Sequence, residues 1–192
     1  MEKVKVKVTK ERQVNMYAEI WRTSYWMLEQ AETEPKGSFF QIMGSLIFTA
    51  FTLEAYLNHI GERIFTCWDD LEQLSPQKKL NVIAEKLEVE KDYSKRPFQT
   101  VKQLFKFRNA IAHGKSEFLK SEDLISVTSV QINEPIGKVL EPEWEKYCNL
   151  KNAVLAREDV EKIIRILHTS SGSDEKLFFQ GMSGTLGQLV SK

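Results

Sequence analysis

Apolar residues recur at steps of three and four along most of this chain. Between Lys10 and Gln30, Val14, Tyr17, Ile20 or Trp21, and Met27 or Leu28 fall on one stripe, which predicts an amphipathic helix. Glu34-Pro35-Lys36-Gly37 is a turn signal. From about Ser38 to Phe65 the apolar residues go nearly all the way round, which predicts a second helix buried on several sides. Ser75-Pro76 supplies an N-cap and a first-turn proline for a third helix, with Leu80, Ile83, Ala84 and Leu87 on one face. Lys91 to Pro97 is a polar connection. A fourth helix starts near Pro97 and carries Val101, Leu104, Phe105, Ile111 and Ala112. Gly114 is placed to end it, since glycine accepts the left-handed backbone after a last turn.

The pattern then changes. Leu124 to Ile132 alternates and is rich in Val, Ile, Ser and Thr, followed by Pro135, Gly137 and Pro142, so it reads as a short hairpin or an irregular insertion. A last helix is expected from roughly Arg157 to His168, with Val160, Ile163, Ile164 and Leu167 inward. The expectation is one all-α, up-and-down helical bundle over residues 1–170, interrupted at about 116–156 by a small β or irregular insertion. A Gly/Ser-containing tail over 171–192 is expected to be flexible.

Composition narrows the function classes. With 42% hydrophobic residues the chain has material for a core. Lys plus Arg and Asp plus Glu are both 27, so any nucleic-acid contact must come from a local patch rather than from net charge. Cys67 and Cys148 are far apart with no CxxC, which argues against a disulfide framework or structural zinc and points to a reducing cytoplasm. The N-terminus alternates lysine and valine and lacks the apolar stretch of a signal peptide. Between Gly37 and Asn58 the only charged side chain is Glu54, but the polar residues and the carboxylate favour a core helix over a membrane span. His59 and His168 have no metal-ligand spacing, and no metal or other cofactor is expected.

The informative segment is Phe107-Arg108-Asn109-Ala110-Ile111-Ala112-His113-Gly114. Arg108 falls in the middle of the apolar arc of the fourth helix, where a guanidinium is costly unless paired. It reads either as a structural arginine bridging to a carboxylate or as part of a site. Glu54, on the same face of its helix as Met43, Ile47, Phe51 and Asn58, is the carboxylate placed to neutralise or orient it. Asn109 and His113 are four apart and share a face. Arg108 and His113 are five apart, about 140° round an ideal helix. They meet only if the last turn distorts, around a ligand, or across a second chain. His113 alone also fits a helix C-terminal histidine favoured by the dipole. From Val101 to Lys120, five cationic side chains (Lys102, Lys106, Arg108, Lys115, Lys120) face one acidic one, Glu117, which gives either a phosphate footprint or a solvated face. The four tryptophans, Trp21, Trp26, Trp68 and Trp144, read as core or interface rather than as base-stacking platforms.

The arrangement of Arg108, Asn109 and His113 at the end of a long bundle helix resembles the Arg-x4-His signature of the HEPN domains. Phe51-Thr52-Leu53-Glu54-Ala55-Tyr56-Leu57-Asn58-His59 is similar to the second helix of many bacterial members. The resemblance spans roughly Val14 to Lys115. It implies a helical bundle that dimerises and brings two motifs into one cleft, where RNA is cut without metal. Carried over, His113 is the general acid or base, Arg108 stabilises transition-state charge, and Asn109 orients His113 or the phosphate. Glu54 is then placed to orient Arg108 or His113, and Lys102, Lys106 and Lys115 of the local cationic patch are the expected RNA contacts. A homodimer, a role in bacterial defence or a toxin–antitoxin pair, and an antitoxin or other protein partner are implied in the same way. Lys115 stands where one toxin branch carries a modifiable tyrosine, so that regulation is not expected. The alternative is a non-catalytic HEPN interaction or nucleotide-binding module.

Overall fold

The computed structural model describes residues 8–11, 14–122, 139–173 and 186–189. It is an all-α bundle. Among the described residues seven helices occur: α1 (Met16–Thr33), α2 (Phe39–Ile64), α3 (Trp68–Leu71), α4 (Pro76–Lys86), α5 (Phe98–His113), α6 (Glu143–Tyr147) and α7 (Leu150–Ser170). One antiparallel pair of short strands joins the two ends of the chain, β1 (Val8–Glu11) with β2 (Leu186–Leu189), in the register Val8↔Leu189 to Glu11↔Leu186. The expected insertion segment from Leu124 to Ile132 and most of the tail lie outside the described residues.

The bundle is organised around α2, which packs against α1, α7, α5, α4 and α3. Leu46, Leu53 and Leu57 are fully buried, with Ala50, Tyr56 and Ile60 nearly so. That multi-sided burial is the physical counterpart of an apolar pattern running nearly all round the helix. By length and composition α2 could cross a membrane, but half of its most apolar window is buried inside the bundle. Ser24, Ser45 and Thr49 let α1 and α2 approach closely: the Ser24 hydroxyl donates to the Ser45 carbonyl (3.0 Å), and the Ser45 hydroxyl donates back to that of Ser24 (3.0 Å). Every buried polar group in this seam thus has a partner.

Helix boundaries differ from expectation at two places. α1 starts at Met16 rather than Lys10, because the chain before it pairs as a strand with β2. α7 starts at Leu150, seven residues before the expected Arg157. Asn149 caps it by accepting the Asn152 backbone N–H at 3.0 Å, and Ala153 and Ala156 extend its buried stripe. Ser75 does occupy the N-cap of α4 with Pro76 next to it, but its side chain makes no capping bond there. Trp68 on the unforeseen short helix α3 packs its ring where a Cβ on Gly61 would sit, 2.4 Å away, so Gly61 is what admits the indole. Trp21 and Trp68 are buried as a core reading requires, whereas Trp26 stays 56% exposed.

Two clamps fix α5. At its start Arg96 donates from Nε and from a terminal nitrogen to the two carboxylate oxygens of buried Asp159 on α7, at 2.7 and 3.0 Å. At its end Gly114 takes the left-handed conformation (φ 50°, ψ 38°), and its N–H closes the last turn on the Ala110 carbonyl at 3.1 Å.

Candidate functional site

Arg108 leaves α5 toward α2. One terminal nitrogen donates to the Glu54 carboxylate. The other donates to the Asn109 side-chain oxygen at 3.0 Å. The guanidinium carbon lies 5.4 Å from the centroid of the Phe51 ring, one helical turn before Glu54. The pair is only partly withdrawn from water: the Arg108 and Glu54 side chains are 20% and 23% exposed. The Nε of Arg108 has no hydrogen-bond partner among the described residues. This constellation is a cation held by a carboxylate, an amide and an aromatic face, with a donor still unused.

His113 lies elsewhere. α5 remains a regular helix to His113, so no distortion of the last turn carries the imidazole round to Arg108. The exposed imidazole instead lines a cleft of about 540 Å³ together with Lys106, Asn109, Ala110, Lys115 and Glu117. Asn109 is the link between the two groups: it contacts Arg108 and borders the His113 cleft. Lys106 and Lys115 border that cleft, whereas Lys102 is exposed on α5 and lines none of the described cavities.

A second cavity, of about 630 Å³, opens between α5 and α6. It shares Lys106, Ala110 and Glu117 with the His113 cleft, so the two are continuous along α5. Phe107, Trp144 and Tyr147 form its aromatic wall; the Phe107 and Tyr147 ring centroids are 5.4 Å apart. Burial pushes the Tyr147 phenol above its ordinary pKa, with the charge of Asp159 acting in the same direction. The Tyr147 hydroxyl is buried and has no hydrogen-bond partner among the described residues. At the mouth Lys146 donates to Glu143 at 2.8 Å, which raises the pKa of the lysine and lowers that of the carboxyl.

Sequence reasoning assembled Arg108, Glu54 and Asn109, and the structure brings these three into contact. Phe51 was on the wheel beside Glu54, but nothing marked it as a platform for the guanidinium. The sequence singles out Trp144 only as a core or interface residue and gives no sign of Tyr147. Their i, i+3 spacing puts them on one helical face, yet a five-residue helix leaves too short a pattern to read. His59 and His168, read as ordinary helix residues, converge on a third cavity of about 500 Å³ with Tyr56 and Arg63.

No family model, curated protein or solved structure matches this chain.

Proposed function

We propose that this protein is a metal-independent RNA endonuclease of HEPN type that works as a homodimer. The observation that carries the reading is the split site on α5. Arg108 is oriented by Glu54 and Asn109, and His113 sits one turn further on in a cleft flanked by Lys106 and Lys115. Within one chain the guanidinium does not line the His113 cleft. Two copies meeting along α5 supply two imidazoles and two guanidinia to one strand, and closed two-fold pairing is the commonest way for a small protein to do so.

The chemistry follows from the groups. One His113 imidazole takes the proton of a ribose 2′-hydroxyl. The 2′-oxygen attacks phosphorus, the bond to the 5′-oxygen breaks, and the second copy's His113, carrying a proton, gives it to the leaving oxygen. Imidazole suits both roles because it titrates near neutrality. Arg108 matches two phosphate oxygens and stabilises the charge that builds on them. The products are a 2′,3′-cyclic phosphate and a 5′-hydroxyl. Lys106 and Lys115 hold the backbone by charge, so binding weakens as salt rises.

The test is cleavage of single-stranded RNA with and without EDTA, with analysis of the new ends. Activity that survives the chelator, leaves 2′,3′-cyclic ends and falls about a hundredfold or more in His113→Ala is the expected result. Cleavage that needs a divalent ion or leaves a 3′-hydroxyl overturns the mechanism. Absence of cleavage at high protein concentration moves the assignment to a non-catalytic binding module.

A further inference from the structure

We infer that the outward stripe of α2 is the seat of a second copy of this chain, with Phe40, Ile47, Phe48 and Phe51 facing their counterparts across a two-fold axis. The inference rests on the reading of Arg108 and His113 as halves of a site that two chains complete, and it names the surface on which they meet.

From Gly37 to Leu53 no side chain is charged. At 100° per residue, Phe40, Gly44, Ile47, Phe48 and Phe51 fall within an arc of about 100°, opposite buried Ile42, Leu46 and Leu53. A helix turned to water on that side would carry polar residues there. Phe40 is instead 71% exposed, and Ile47, Phe48 and Phe51 are only half-buried. The Phe48 and Phe51 rings meet edge to face, with centroids 6.4 Å apart. Single exposed apolar residues need no explanation, but a contiguous row of them marks a contact surface.

Charge and extent select the occupant. The charged pair at the end of the stripe, Glu54 with Arg108, is neutral overall, and the chain has 27 cationic and 27 anionic side chains. Two identical copies therefore approach without net repulsion, whereas a strongly charged partner or an anionic lipid surface finds no opposite charge on the stripe to read. From Phe40 to Phe51 the stripe is about 17 Å long, and a helix is about 10 Å wide. That is far less than the surface of about 800 Å² that each partner gives to a stable interface. A two-fold contact centred on the stripe therefore has to run onto the flanking helices. On one side is α1, whose Met27 sulfur lies 2.4 Å from where a Cβ on Gly44 would sit. On the other is α5, whose Arg108 crosses to Glu54 and lies 5.4 Å from the centroid of the Phe51 ring. The α5 flank carries the second copy's guanidinium to the same seam, and that is the group the His113 cleft lacks within one chain.

Sedimentation equilibrium of the full chain, with circular dichroism of each variant, is the test. The parent is expected to be a dimer in the micromolar range. Phe40→Asp, at a side chain the fold leaves in water, should weaken the dimer about tenfold or more while the helical signal stays unchanged. Thr169→Asp places the same charge on an exposed position of α7 and should leave the dimer intact. A parent that stays monomeric up to the millimolar range, a Phe40→Asp dimer as tight as the parent's, or equal weakening by Thr169→Asp overturns the seat. So does a monomeric parent that binds phosphatidylcholine vesicles and loses that binding in Phe40→Asp, because the stripe then faces lipid. A dimer that Phe40→Asp dissociates, in a protein that cleaves no RNA, leaves the seat standing and removes the nuclease. Metal-independent RNA cleavage by a dimer that Phe40→Asp does not disturb does the reverse.

Discussion

Arg108 on α5 and Arg157 on α7 are the same side chain in two different surroundings. Both sit among apolar residues of long helices. Arg108 keeps a fifth of its surface in water and pairs with the Glu54 carboxylate. Arg157 is 8% exposed and makes no ion pair among the described residues. Its guanidinium carbon lies 3.6 Å from the centroid of the Trp21 ring, and one terminal nitrogen donates to the Ser24 hydroxyl at 2.8 Å and the Trp21 carbonyl at 3.2 Å. Burial pulls its pKa down to about 10, with Glu161 and other anions opposing from a distance, so it still carries its charge at neutral pH. One arginine is neutralised by a carboxylate where both side chains still touch water. The other is dissolved in hydroxyls, a carbonyl and an indole face inside the α1–α2–α7 seam. A cation on an apolar stripe is therefore not by itself a sign of function. What separates the two is a carboxylate partner and the share of the side chain left in water.

The largest effect should come from breaking the Arg108 pair. Glu54→Ala leaves the guanidinium with Asn109 and Phe51 alone. Full burial would make that cost about 3–5 kcal/mol, and the remaining solvent contact brings the expectation to about 2 kcal/mol in urea denaturation. Arg108→Met should cost a similar amount, because it strands the carboxylate. The double variant with Glu54→Met should recover part of the loss, since no charge is then left alone. Single losses under about 0.5 kcal/mol would show that water serves the guanidinium as well as Glu54 does.

How much of this contrast was legible in the sequence depends on the range of the interaction. The Glu54–Arg108 pair could be anticipated because each was the one charge on an otherwise apolar face, and two such charges of opposite sign tend to meet. The end of α5 was legible because Gly114 is a local signal. Arg157 was not legible as a buried cation. Its partners Trp21 and Ser24 lie more than 130 positions away, on a helix whose stripe gave no hint of a hydroxyl seam. The start of α7 was misplaced for a related reason: Asn149 follows Cys148 and precedes Leu150 with no proline or glycine to announce a boundary, so the earlier turns of the helix read as part of the insertion. The Trp144–Tyr147 wall needed the third dimension, because α6 meets α5 only after the chain has passed through the segment between them.

A smaller effect should follow from disturbing the seam around Arg157. Ser24→Ala removes the hydroxyl that accepts from Arg157 and lies 2.6 Å from the Thr49 hydroxyl. The expected loss is about 1–2 kcal/mol, because both partners remain buried without it. Thr23→Ala is the control on the same helix. Its hydroxyl, on an exposed residue, bonds only its own helix backbone at Glu19, so its removal should change stability by less than about 0.5 kcal/mol. Equal losses in the two variants would mean that the buried hydroxyl network contributes nothing beyond helix propensity.

The smallest effect should come from replacing Arg157 itself by an apolar side chain of similar length. Arg157→Met removes a desolvated cation that has no carboxylate in contact, and leaves a flexible thioether to lie on the Trp21 ring. Ser24 loses one donor but keeps Ser45 and Thr49 as partners, so no hydroxyl is stranded. The stacking energy over the indole, about 2 kcal/mol for a desolvated cation, is lost, and the desolvation penalty of the charge is relieved with it. These terms oppose each other, and the expected net change is within about 1 kcal/mol of the parent in either direction. RNA cleavage should survive in Arg157→Met and fail in Arg108→Met, at a protein concentration where both are folded. If Arg157→Met instead costs 3 kcal/mol or more, an order expected only for breaking a well-compensated buried charge, the seam is a stronger host for a cation than the Glu54 pair. In that case the contrast between a paired and an unpaired arginine would have to be redrawn around the Trp21 ring.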